Sequence, residues 1–159
     1  MSETRGSGIG GLIKATHHTA ICVDDFDAAR DFYVDILGFA VSGETDRRDE
    51  PALGEVVGLP GAVIRWALLA RDDHRIELFK YLEPEGRKDI RPQCDCGYTH
   101  MAFEVSDVDA AYEKLVAAGY RTNSPPLPMR GGRAKGIYVL APEGNVTELS
   151  EFPPGPYDD

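Results

Sequence analysis

Two short runs, His17 to Val23 and Thr99 to Val105, are rich in β-branched and aromatic residues whose side chains would alternate between two faces, so each predicts a strand. A carboxylate able to cap a helix follows each run, at Asp25 and at Asp107. The next apolar positions are Phe26, Ala29, Tyr33 and Ile36 in the first case, and Val108, Ala111, Leu115 and Ala118 in the second. Spacings of three, four and three trace one helical face. Gly38 and Gly119 then stand where a left-handed cap is wanted, and both helices are expected to end there.

These two patterns are copies of one another. Displaced by 82 residues, His18-Thr19-Ala20-Ile21-Cys22-Val23-Asp24-Asp25 lies over His100-Met101-Ala102-Phe103-Glu104-Val105-Ser106-Asp107, with eight identities in the 18 positions from His18. A second match, at a displacement of 71, sets Gly61 to Leu78 over Gly132 to Leu149, including Leu69-Ala70 over Leu140-Ala141 and Glu77-Leu78 over Glu148-Leu149. The displacement changes because the loop after the first helix is the longer one. Within each copy an apolar run (Val63 to Ala70; Ile137 to Ala141) meets a turn (Arg71 to His74; Pro142-Glu143-Gly144-Asn145) and then another strand, a terminal hairpin. Residues 40–46 and 120–124 can supply one more strand each. The expected architecture is α+β: two βαβββ modules, residues 12–82 and 98–152, forming a cupped mixed sheet. A polar linker (83–97) joins them, with a flexible start (1–11) and a loose, proline-rich tail (153–159).

Charge narrows the choice of partner. The 159 residues carry 17 basic and 27 acidic side chains, a net charge of −10, whereas nucleic-acid binding needs clustered Lys and Arg. No apolar run approaches the ~18 residues of a membrane helix, and Met1 to Gly11 is polar and glycine-rich, so a soluble cytoplasmic protein is expected. Three cysteines cannot build a disulfide framework, and the Cys94-x-Cys96 pair reads as two exposed thiols.

The candidate chemistry follows from strand alternation. Ile21 and Val23 should pack on the first helix, which turns His18, Ala20 and Cys22 to the opposite face; Phe103 and Val105 do the same for His100, Ala102 and Glu104. In the last strands Ile76 and Leu78 leave Glu77 on the other face, and Leu149 leaves Glu148 there. If the modules pack with pseudo-twofold symmetry, His18, Glu77, His100 and Glu148 can converge. Two imidazoles and two carboxylates around one point suit a divalent ion such as Zn, Ni, Co, Mn or Fe(II). Singly, each would read as a strand residue satisfied by hydrogen bonds; agreement of both pairs with the repeat favours the metal.

At these residues the chain resembles the vicinal oxygen chelate superfamily, which includes glyoxalase I, methylmalonyl-CoA epimerase, extradiol dioxygenases, fosfomycin-resistance transferases and bleomycin-resistance proteins. The resemblance covers about residues 12–152. It is carried by His18-x-Ala-Ile-x-Val, Phe32-Tyr33, Leu37-Gly38-Phe39, Ile76-Glu77-Leu78-Phe79, His100-Met101-Ala102-Phe103-Glu104-Val105, and Pro142-Glu143-Gly144-Asn145 before Glu148-Leu149. It implies paired modules cupping a metal whose open positions take two adjacent substrate oxygens. A His, Glu, His, Glu set is similar to that of glyoxalase I and, with Glu in place of Gln, to that of the epimerase. The resemblance thus implies a metal-dependent isomerase or lyase that stabilises an enediolate or enolate, with Glu77 and Glu148 as candidate bases. Cys22 occupies the place where glyoxalase I relatives often carry an arginine for glutathione, which counts against a glutathione substrate. One alternative is an Fe(II) extradiol-type dioxygenase, which needs His18, His100 and Glu148 but no ligand at position 77. The other is a non-enzymatic ligand trap of the bleomycin-resistance kind, which needs no metal ligands.

Further residues stand near this set. Ser124 to Arg133 is a proline-rich basic loop that can act as a lid, with Arg130 or Arg133 meeting a substrate carboxylate or phosphate. Tyr138, Phe79 and Trp66 can line the cavity, although core packing is the commoner role of strand aromatics. His17 is expected on the helix side, packed or partly exposed, and His74 in a solvated turn. The expected partners are a small-molecule substrate and a second copy in a homodimer, with the modules pairing either within one chain or across the dimer.

Overall fold

The computed structural model describes residues 9–88, 92–98, 100–142 and 145–152. The first eight residues of the expected flexible start, the tail from residue 153, linker residues 89–91, Thr99 of the second strand run and Glu143-Gly144 of the last turn lie outside them. The first module runs β1 (Thr19–Cys22), α1 (Phe26–Asp31), β2 (Ala40–Arg48), α2 (Pro51–Val56), β3 (Val63–Arg71) and β4 (His74–Glu83). The second runs β5 (His100–Glu104), α3 (Val108–Ala117), β6 (Arg121–Thr122), β7 (Leu127–Met129), β8 (Ala134–Leu140) and β9 (Val146–Glu151). The sheets have matching orders, β1-β4-β3-β2 and β5-β9-β8-β6, with β7 also paired to β8. In both, the first strand runs parallel to the last and the other pairs are antiparallel. This is the α+β, twice-repeated βαβββ architecture.

The helix signals act as read. Asp25 accepts from the Ala28 amide at 3.0 Å and Asp107 from the Ala110 amide at 2.9 Å, each satisfying an orphan N–H of the first turn. Gly38 (φ +73°) and Gly119 (φ +86°) adopt the left-handed conformation that lets the chain leave its helix.

Three local expectations are corrected. First, α1 continues into a five-residue π turn, Phe32–Ile36. A π turn holds one residue more than an α turn, so the apolar stripe shifts: Phe32 becomes fully buried, and Ile36, expected in the core, is exposed. Second, the extra length of the first module includes α2, which starts at Pro51 after β2 rather than directly after α1. Third, part of the expected loop 124–133 is a strand: Leu127–Met129 hydrogen-bonds to β8, so β6 and β7 together take the place of β2.

The helix-covered faces of both sheets share one core. Ile21, Leu69, Ile76 and Leu78 from one sheet and Ile137, Val139 and Leu149 from the other close around Phe26, Phe32, Val108 and Leu115. Rings meet across the modules, Phe32 with Tyr120 at 5.0 Å and Phe39 with Phe103 at 5.8 Å between centroids. Three cations on this side are tied to acids: Arg30 to Glu44, Arg65 to Asp27 and Asp46, and Lys135 to Asp109. None of the described helices is long and apolar enough to cross a membrane.

Candidate metal centre

With Ile76 and Leu78 packed in the core, alternation places Glu77 on the opposite face of β4, and Leu149 does the same for Glu148 on β9. The histidines enter from the neighbouring parallel strands, His18 immediately before β1 and His100 at the start of β5. In each module the imidazole Nε2 lies 3.0 Å from the glutamate Oε2, His18 against Glu77 and His100 against Glu148. The glutamate side chains keep 16% of their surface exposed and the histidines 34% and 28%, so both pairs can be reached from solvent.

The other oxygen of each glutamate is held from behind. Trp66 donates its indole N–H to Glu77 Oε1 at 2.5 Å, and the Ser150 hydroxyl meets Glu148 Oε1 at 2.6 Å. The two donors come from opposite strands on equivalent rungs: Trp66 faces Phe79 across β3–β4, and Gly136 faces Ser150 across β8–β9. Glu77 is opposite Leu68, and Glu148 is opposite Tyr138. The single displacement of 71 therefore holds for the last strands but becomes 70 for the strands before them. The hairpin turns differ, β3 and β4 being joined through only Asp72 and Asp73.

Tyr138 packs on His100 at 4.9 Å between ring centroids. Burial, followed by the charge of Glu148, pushes its phenol above the usual tyrosine range and keeps it protonated. Phe79 stacks on Tyr81 on the face that carries Glu77. Of the two expected lid arginines, Arg130 lies over the Phe152 ring at 6.0 Å, whereas Arg133 turns its Nε to the Arg130 carbonyl at 3.2 Å. His17, expected to be packed or partly exposed, is exposed, and its Nδ1 shares a hydrogen bond with Nδ1 of His18 at 2.7 Å. His74, expected in a solvated turn, instead buries an Nε2 that has no partner among the described residues. Ser150 and His17 were missed as supporting groups. Their only sequence signal is position, two residues after Glu148 and one before His18.

Within one chain the four expected ligands form two pairs. Among the described residues no group of three or more His, Cys, Asp or Glu is placed to hold one ion. The crevice of about 1080 Å³ between the modules lies elsewhere, lined by Asp35, Arg71, His74, Glu104 and Lys114 and by none of the four.

The donor set of each pair fits a divalent ion. Two donors bound at ~2.1 Å and at right angles around one ion are about 3 Å apart, the separation found in both pairs. For Nε2 of His18 to present its lone pair, the proton must sit on Nδ1, where His17 can accept it, and the hydrogen-bonded Oε1 atoms leave both Oε2 atoms free to coordinate.

Two βαβββ sheets repeated in this order make a glyoxalase-type fold. The chain belongs to the Glyoxalase/Bleomycin resistance protein/Dioxygenase superfamily, whose sequence pattern matches residues 15–149. It is 32% identical over 157 residues to a 2-epi-5-epi-valiolone epimerase from Actinomyces sp., covering 94% of this chain and 85% of that one. It is 28% identical to an ethylmalonyl-CoA/methylmalonyl-CoA epimerase from Cereibacter sphaeroides, covering 88% and 99%. A glyoxalase family protein from Bacillus cereus superposes with a TM-score of 0.79 at 23% identity, covering 88% of this chain and 95% of that one.

Proposed function

We propose that the protein is a divalent-metal-dependent isomerase or lyase that moves a proton on the carbon next to a carbonyl of a small metabolite. His18, Glu77, His100 and Glu148 are its metal ligands, and Glu77 and Glu148 its bases. One observation carries the reading: the same two atoms face each other at the same 3.0 Å in two repeated sheets, with the glutamate braced through Oε1 each time. Relatives named as epimerases support inversion next to a carbonyl over oxygen insertion. The bracing of Glu77 also favours a four-ligand set over one that dispenses with position 77. A reducing cytoplasm suits three cysteines that form no disulfide.

The two pairs join across a homodimer. β1 and β5 are the outermost strands of their sheets, and the histidines sit on or beside them. Exposed Ile9, Leu12, Ile13 and Tyr98 lie in the segments leading into these two strands, apolar surface that a second copy would cover. Setting β1 of one protomer beside β5 of its partner brings one module of each into a common site.

The divalent ion, Zn, Ni, Co, Mn or Fe(II), supplies Lewis acidity that stabilises negative charge on the substrate's carbonyl oxygen. The chain's own groups handle the proton. One glutamate carboxylate, exchanging the ion for the proton, would accept it from the carbon; return of that proton to the neighbouring carbon would complete an isomerisation, and an epimerisation would need the second glutamate to enter already protonated and deliver its proton to the opposite face. Trp66 and Ser150 keep each carboxylate from swinging away, and the aromatic faces of Phe79 and Tyr138 narrow the space left for water.

Metal analysis of purified wild type, His18→Ala and His100→Ala protein tests the ligands: both variants should lose metal, and unchanged content in both would remove the metal reading. Refolding the two variants together tests the dimer. A shared site predicts that mixed dimers regain one intact site of two, because the intact first module of one protomer meets the intact second module of the other. No recovery would refute that arrangement.

A further inference from the structure

On the faces that carry the histidine–glutamate pairs, two arginines occupy nearly equivalent places. Arg48 ends β2 and faces Ile64, four residues along β3 from the residue opposite Glu77. Arg130 follows Met129, which faces Ala134, four residues along β8 from the residue opposite Glu148. Each guanidinium lies over an aromatic ring, Arg48 over Trp66 at 5.5 Å and Arg130 over Phe152 at 6.0 Å. Trp66 is the ring that holds Glu77, so Arg48 stands one indole away from the pair.

Their charge is poorly matched. On the helix-covered side Arg30, Arg65 and Lys135 are all committed to carboxylates, as expected in a chain of net charge −10. Arg130 has no carboxylate partner among the described residues. Arg48 has Glu50 at 3.2 Å, but that carboxylate is 55% exposed, and exposed pairs of this kind are weak enough for a ligand anion to displace. A guanidinium stacked on a ring still presents its N–H edge, which matches the two oxygens of a carboxylate or the oxygens of a phosphate.

We infer that, in the shared site proposed above, Arg48 of one protomer and Arg130 of the partner subunit form an oxyanion subsite, so that the substrate carries a carboxylate or a phosphate in addition to the two oxygens it offers the metal. The inference rests on the metal reading above and goes beyond it by naming the charge class of the substrate. Arg48 and Arg130 here determine specificity and take no part in moving the proton.

Three hydroxamates that share one chelating head provide the test on Co(II)-loaded protein. They are acetohydroxamate with an uncharged tail, succinic monohydroxamate with a carboxylate tail, and phosphonoacetohydroxamate with a phosphonate tail; affinities are read from the visible spectrum of the cobalt. At least one anionic tail should improve the dissociation constant about tenfold over acetohydroxamate, and the better of the two identifies the group. Arg48→Gln and Arg130→Gln should each cut that margin, and the double variant should erase it while cobalt still binds. No preference in wild type, or a preference that survives in the double variant, overturns the subsite while leaving the metal reading intact. Failure of wild type to bind cobalt removes both.

Discussion

The indole N–H of Trp66 donates to Oε1 of Glu77 at 2.5 Å, on the rung where the second module has Gly136 instead. The second module meets the same need from the facing strand, with the Ser150 hydroxyl on Glu148. The repeat has thus kept a function, a donor behind each carboxylate, without keeping the residue or the strand. Trp66→Phe preserves most of the ring and deletes the donor. It should weaken divalent-metal binding by about 10–100-fold, the usual cost of losing a group that orients a ligand. Competition against a chromophoric chelator measures this, with near-ultraviolet circular dichroism checking that the sheet is unchanged.

Gly136 is the counterpart of this indole and has no room for a side chain. A Cβ there would stand 2.6 Å from Met129 Cε, 3.1 Å from the Leu149 carbonyl oxygen and 3.1 Å from Ser150 Oγ. The methionine end can move, but the carbonyl belongs to the paired strand, and Ser150 is engaged with Glu148. Gly136→Ala should therefore destabilise the fold by about 1–3 kcal/mol and also disturb metal binding. Ser150→Ala removes the same hydroxyl without crowding. It should lower metal affinity with a much smaller shift in melting temperature, and equal melting temperatures for the two variants would contradict this reading.

The parts legible in the sequence are those that depend on local periodicity and on the repeat. Alternation through Ile76-Glu77-Leu78 puts Glu77 on the face away from the core because a strand has a period of two, and Asp25 and Asp107 cap because a free amide waits three residues on. Three things depended on non-local packing. The π turn exchanges Ile36 for Phe32, and no single-residue preference marks it. The one-residue difference between the hairpin turns hid the equivalence of Trp66 and Gly136, which a constant displacement misaligns. The two His–Glu pairs are each local to a sheet, and the proposed meeting of the two across a second chain is something that periodicity within one chain does not encode.

The π turn makes a direct test of the core. Phe32 is fully buried and its ring contacts Tyr33 and, across the modules, Tyr120, while Ile36 is 37% exposed. Phe32→Ala should cost about 3–5 kcal/mol. In a chain of this size that corresponds to a fall in melting temperature of roughly 6–20 °C. Ile36→Ala should cost no more than about 1 kcal/mol. An unbroken α-helix would reverse the ranking, since the three, four, three spacing puts Ile36 in the core, so thermal melts of the two variants decide between the arrangements.

Tyr33 gives the fold a built-in sensitivity to alkali. Burial, reinforced by Tyr98, pushes its phenol well above the ordinary value of 10.0, so the folded protein keeps the proton where the unfolded chain releases it. A value raised by folding adds stability that is fully present below the unfolded pKa and is lost as pH climbs from about 10 toward the folded value. Between those two values the unfolded state gains up to about 1.4 kcal/mol per pH unit from this one group. Tyr33→Phe keeps the ring in the core and has no proton to lose. Urea denaturation of wild type and variant at about pH 8 and about pH 11 should show the variant gaining roughly 1 kcal/mol on wild type between the two conditions. The tyrosines not coupled to Tyr33 titrate equally in both proteins and cancel in the comparison. A difference that does not move with pH would mean that Tyr33 ionises freely in the folded state and is not enclosed between the modules.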